Sequence, residues 1–136
     1  MSIGVMVLAH AETGASLIAA AKAIIGHDSL VIGNVAVHPD DDADVLLTEA
    51  RTLVEKLDQG AGVLIVTDLF GSTPCNIARR VGNDHHIRIV AGLNLAMLLR
   101  ILNYPGAGLE ELVEKALAGG RQAMIDCGTA RDWPHG

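Results

Sequence analysis

Short unbroken apolar runs alternate along this chain with longer stretches in which apolar residues recur every three or four positions. The first run, Ile3 to Ala9, carries β-branched Val5 and Val7 and stops at His10, the pattern of a strand buried on both faces of a parallel sheet. Leu17, Ile18, Ala21, Ile24 and Ile25 then fall at helical spacing, with Thr13 placed to cap the helix and Gly26 to stop it. Leu30 to Val37 predicts a second strand. The Pro39 to Asp42 turn puts carboxylates where a helix begins, the end that favours negative charge, and that helix carries Val45, Leu46, Leu53, Val54 and Leu57. Its acid cluster reads as helix punctuation. Gly60 and Gly62 break the pattern before a third run, Val63 to Thr67, which ends in Asp68.

The second half repeats the alternation. After the loop Phe70-Gly71-Ser72-Thr73-Pro74 comes a short helix through Arg79 and Arg80, then a fourth strand, Ile87 to Ala91, broken by Gly92. Asn94 is placed to cap a helix running through Leu102, and Leu109 to Leu117 reads as an amphipathic helix closed by Gly119-Gly120. Ala123 to Cys127 is expected as a short last edge strand, and residues 129 to 136 as a polar tail. Strands alternating with helices imply right-handed crossovers. The expected fold is therefore α/β: an open, mainly parallel four-stranded sheet with helices on both faces, in one domain over residues 1 to 128.

Composition narrows what such a domain does. Half of the 136 residues are hydrophobic, and Phe70, Tyr104 and Trp133 are the aromatics, so the core is aliphatic. The net charge of -6, with no stripe of Lys and Arg, argues against nucleic acid as a partner. The first apolar run is far shorter than the roughly twenty residues that span a bilayer, and it lacks the flanks of a secretory signal, so a cytoplasmic location is expected. Cys75 and Cys127 have neither CxxC spacing nor a nearby histidine cluster and read as two reduced, half-buried thiols. No P-loop and no GxGxxG follows the first strand. His85-His86 lacks a spaced third ligand, so no metal is expected.

In an open α/β sheet, ligands sit beyond the carboxyl ends of the strands where the chain order reverses. His10 and Asp68 both fall there. If their strands are neighbours, the carboxylate can accept the proton of one ring nitrogen and leave the other nitrogen's lone pair free as an oriented nucleophile. The competing reading is that His10 merely ends a strand and Asp68 caps a turn. The following loop adds Gly71 for close backbone approach, the hydroxyls of Ser72 and Thr73, and Pro74 at the first helical position, so that amides point outward at a helix start as they do at anion sites. An ordinary capped helix start uses the same residues. His38, closing the second strand, can border the same place.

Three segments together resemble the mannose-type IIA components of the bacterial phosphoenolpyruvate-dependent sugar phosphotransferase system: the apolar strand ending in His10, the run Asp68-Leu69-Phe70-Gly71-Ser72-Thr73-Pro74-Cys75-Asn76, and Ile89-Val90-Ala91-Gly92-Leu93-Asn94 followed by Met97-Leu98. The resemblance implies that His10 accepts a phosphoryl group from the small carrier protein HPr and passes it to a IIB partner. It implies that Asp68 holds the ring and its tautomer, that Gly71, Ser72 and Thr73 contact the phosphoryl oxygens, and that Phe70, where many relatives carry tryptophan, forms a wall of the site. Ser72 stands where a second glycine is frequent and Thr73 where serine is usual. No cofactor is implied. The same resemblance implies a homodimer in which the C-terminal strand is exchanged, and attachment to the membrane only through transporter partners.

Two further readings keep the same chemistry. One is a stand-alone regulatory phosphoprotein that reports phosphorylation state. The other is the phosphoryl-carrying subunit of dihydroxyacetone kinase, against which the Gly71-Ser72-Thr73-Pro74-Cys75-Asn76 loop argues.

Overall fold

A computed structural model describes residues 2–26, 30–82 and 86–132. Four strands, β1 (Gly4–His10), β2 (Ile32–Val37), β3 (Val63–Thr67) and β4 (Ile87–Ala91), form one parallel sheet in the order β2-β1-β3-β4. Five helices connect and follow them: α1 (Thr13–Ile25), α2 (Ala43–Leu57), α3 (Thr73–Val81), α4 (Leu95–Leu102) and α5 (Leu109–Gln122).

The unbroken apolar runs are explained by the two layers that cover the sheet. Val5, Val7 and Ala9 point into the core shared with Leu64, Leu98, Ile101 and Leu112, beneath α1, α4 and α5. Their neighbours Met6 and Leu8 point the other way, into the core shared with Val54, Ile65, Ile77 and Ala78, beneath α2 and α3. Successive strand residues face opposite sides, so a strand covered on both sides is apolar along nearly all its length. Residues 4 to 9 of β1 are all buried. At about 1.5–3 kcal/mol for each fully buried aliphatic side chain, these layers are the main source of stability.

Several boundaries differ from the sequence reading. The chain leaves β1 through Ala11, a non-glycine residue at φ 45°, and this left-handed turn makes Glu12, not Thr13, the residue preceding α1, without a side-chain cap. The second strand starts at Ile32, two residues later than expected. Asp42 caps α2 by accepting from the N–H groups of Asp44 and Val45, and Asn94 caps α4 by accepting from the N–H of Met97, both as expected.

Gly119-Gly120 does not close α5, which continues to Gln122. A β-carbon at position 119 would meet Arg100 Cβ at 2.5 Å, and one at 120 would meet the Met97 methyl at 3.0 Å. The two glycines serve close approach of α5 to α4. Beyond them the expected strand from Ala123 to Cys127 is not formed within the chain; Met124 and Ile125 are 80% and 72% exposed. Residues Ala130–Asp132 form a 3-10 turn, and Trp133 lies outside the described residues, as does His85. The thiols are not alike: Cys75 is buried and Cys127 exposed.

Candidate functional site

The sheet order creates one place where chain direction diverges. From β1 the chain crosses to β2 on one side, and from β2 it returns to β3 on the other, so the carboxyl ends of β1 and β3 flank the switch point. Leu8 is registered against Thr67; His10 follows Leu8 by two positions and Asp68 follows Thr67 by one, and these are the first residues of the two segments that are not fully buried. His10 and Asp68 are thereby set side by side.

Their contact is double. The backbone N–H of His10 donates to Asp68 Oδ2 at 3.1 Å, and ring Nδ1 lies 2.9 Å from Oδ2 and 3.0 Å from Oδ1. Burial raises the Asp68 pKa, but hydrogen bonds from the His10 ring and backbone, together with the His10 charge, outweigh it and hold the carboxyl below its ordinary value. An ionised carboxylate only accepts, so Nδ1 must carry the proton and Nε2 is left as the outward nitrogen with its lone pair. The ring is 45% exposed and the carboxylate side chain 16%. A half-buried anchor thus holds an accessible base.

His10 opens onto a cavity of about 280 Å³ lined also by Val37, His38, Pro39, Asp41, Leu46 and Thr73. Thr73 is the first residue of α3, and Ser72 the residue before it. With Pro74 lacking an N–H and Asn76 bonding to the Ser72 carbonyl, the N–H groups of Thr73 and Cys75 have no acceptor within the helix. They belong to the positive end of its dipole. Ser72 does not cap α3 with its side chain: its hydroxyl donates back to the Leu69 carbonyl at 2.6 Å and closes the turn. Gly71, at φ 79°, has a backbone conformation that glycine adopts freely and open space around it. Phe70 is 80% exposed and does not line the cavity. Of the loop residues singled out in the sequence, Thr73 is the one in the cavity wall.

The second strand and its turn contribute more than the sequence suggested. His10 pairs with Val37, and the N–H of Ala11 donates to the Val37 carbonyl at 2.8 Å, which ties the end of β1 to the end of β2. His38 follows directly. Its N–H donates to Asp41 Oδ2 at 2.8 Å, so one acid of the cluster organises the cavity wall while Asp42 caps α2. The signal for Asp41 was its place three residues after His38, which becomes legible once β2 is known to lie beside β1.

Among the described residues no group of three His, Cys, Asp or Glu is arranged to hold a metal, and no helix is long and apolar enough to cross a membrane.

The chain is similar in sequence and in fold to known proteins. The chain is 29% identical over 127 residues to the mannose-specific EIIAB component of the phosphotransferase system of Escherichia coli K12, a stretch that covers 91% of this chain and 39% of that relative. This chain therefore corresponds to well under half of the relative's length. The fold is shared with the mannose/sorbose-specific IIA subunit of the phosphotransferase system from Enterococcus faecalis, at a TM-score of 0.86 and 24% identity over 99% of this chain and 98% of that one. It is shared also with phosphotransferase system component EIIA from Streptococcus agalactiae, at 0.80 and 21% identity over 91% and 96%. The sequence model of EIIA-man, described as the PTS system fructose IIA component, matches residues 4–117, and the chain belongs to this mannose-type IIA family of the sugar phosphotransferase system.

Proposed function

We propose that this protein is a phosphoryl carrier that accepts a phosphoryl group from phospho-HPr on Nε2 of His10 and passes it to a IIB partner. The observation that carries the reading is the pairing of His10 Nδ1 with both oxygens of Asp68. It leaves Nε2 as the nucleophile, faces it outward, and supplies a carboxylate for the positive charge that the ring develops as it attacks. In the transfer the Nε2 lone pair forms the new bond to phosphorus while the bond from phosphorus to the donor breaks, its electron pair leaving with the donor. Return to IIB is the reverse. Such transfers ask a protein mainly for in-line positioning and charge stabilisation, so amides and hydroxyls suffice and no cofactor is invoked.

Thr73 and the amides at the start of α3 are placed to meet the phosphoryl oxygens. Gly71 and Ser72 act through the turn that aims them. Phe70 we assign to the rim, where an exposed ring two residues after Asp68 meets a partner protein's surface. The working unit is the domain over residues 1 to 128, with 129 to 136 as a tail. It acts in the cytoplasm, peripheral to the membrane through its transporter partners and without nucleic acid. Exposed Met124 and Ile125, together with the edge strand β4, support pairing of two copies through the C-terminal segment.

The test is incubation with phosphoenolpyruvate carrying labelled phosphorus, enzyme I and HPr. The expected result is an acid-labile label on the parent chain and none on His10→Ala. Phosphorylated HPr beside an unlabelled chain would overturn the reading.

A further inference from the structure

The cavity beside His10 has an electrostatic problem. A phosphoryl group brings about -1.5 to -2 charges into a space already bordered by the carboxylates of Asp68 and Asp41. Among its lining residues, as far as the described residues go, there is no Lys or Arg, and apart from His10 itself the side chain able to become a cation is His38.

Among the described residues, no side-chain hydrogen bond fixes the His38 ring. Its Nε2 faces Glu12 Oε1 at 3.7 Å and its Nδ1 faces Asp41 Oδ2 at 3.6 Å, separations beyond hydrogen bonding, from exposed carboxylates. The loop itself is secured by backbone, through the His38 N–H on Asp41 and the Asp41 N–H on the His38 carbonyl. Ring rotation therefore breaks no hydrogen bond of the loop, and the ion-pair contacts it gives up are with exposed carboxylates that solvent screens. The charged and titratable groups facing His38 are Glu12 from the start of α1, Asp41 from its own turn and His10 with Asp68 from β1 and β3; Asp42 is engaged as the cap of α2.

We propose that His38 is the cationic wall of the phosphoryl site: its imidazolium turns from Glu12 and Asp41 to bind the oxygens of the group carried on His10, making retention of that group depend on pH. The inference rests on the phosphohistidine reading of His10. Imidazole is the side chain that ordinarily gains its charge between about pH 5 and 8. Retention is expected to be strongest at the acidic end of that window; at its alkaline end the cavity offers the phosphoryl group only amides and hydroxyls.

The experiment is the phosphoryl exchange equilibrium between HPr and the full chain, measured from about pH 5.5 to 8 for the parent, His38→Gln, His38→Lys and His10→Ala. The same HPr serves every variant, so the donor's own titration cancels in the ratios. Relative to His38→Gln, the parent is expected to hold the phosphoryl group about fivefold more strongly at the acidic end, the factor that about 1 kcal/mol provides, with the advantage fading toward alkaline pH. His38→Lys keeps a cation throughout and is expected to hold the advantage across the range. A labelled parent whose curve His38→Gln reproduces overturns the inference alone. So does a deficit that His38→Lys shares with His38→Gln. No label on the parent overturns the reading of His10 and this inference with it.

Discussion

The Asp68 carboxylate accepts two hydrogens from a single residue, the backbone N–H and the ring Nδ1–H of His10, so one side chain fixes both where β1 ends and which ring nitrogen is free. Replacing it by Asn keeps an acceptor for one of them but offers an N–H where the ring needs an oxygen. Asp68→Asn is expected to fold and to slow phosphoryl transfer at least tenfold, with the larger loss in kcat. Rapid-quench labelling from phospho-HPr checks it, and transfer at the parent's rate would remove the tautomer role from Asp68.

The same pairing gives the stability a pH dependence. Asp68 titrates below its ordinary 3.8 when folded, so in that window the unfolded chain binds more protons and stability rises with pH. The contribution is full above about pH 5 and is lost as pH falls through 4 and below. Denaturant unfolding of parent and Asp68→Asn should therefore diverge near neutrality and converge in acid. Parallel curves down to the lowest pH would show that the pair does not stabilise the fold.

His10→Ala should remove carrier activity at small cost to the fold. The ring is largely outside the core, and the backbone N–H still meets Asp68, so a loss of about 1 kcal/mol is expected. A drop in Tm of tens of degrees would instead make His10 part of the structural core.

Ala11 sits exposed in a left-handed conformation that costs an L-residue about 1–2 kcal/mol. Ala11→Gly is expected to stabilise the protein by up to about 1 kcal/mol, the relief exceeding the added freedom of the unfolded chain. Ala11→Val, β-branched at the same φ, should destabilise it by more than that. Equal melting temperatures for the three chains would argue against the strained turn.

Gly119→Ala tests the opposite case. Alanine is the better helix former by about 1 kcal/mol, yet its β-carbon would press on Arg100 across the α4–α5 contact. Overpacking of this kind costs about 1–3 kcal/mol, so a net loss of stability is expected. A gain would mean that the two helices separate easily.

How far the sequence reaches can be seen residue by residue. The strands β1 and β3 were legible because strands covered on both faces are almost wholly apolar, Thr67 apart, and His10 and Asp68 were legible as the polar, ionisable residues at their carboxyl ends. Gly119 and Gly120 look like a stop in the local sequence, because a glycine's need for space is set by the facing helix, which the local sequence does not contain. The place of Asp41 in the cavity wall depends on the β1–β2 register, a long-range fact. Thr13 was passed over as a cap because the left-handed turn at Ala11 moved the start of the helix by one position. Each miss concerns a neighbour distant in sequence or a backbone angle that the side chain itself does not announce.

β1 lies in the middle of the sheet, hydrogen-bonded to β2 on one side and β3 on the other, and the His10–Asp68 contact spans two of these three strands. The two strands that carry the pair cannot part without opening the centre of the fold, so their backbone holds the pair in place until the sheet itself opens. On heating, loss of the paired histidine should coincide with the global melt, and the amides of residues 5 to 9 should be among the slowest in the molecule to exchange with solvent.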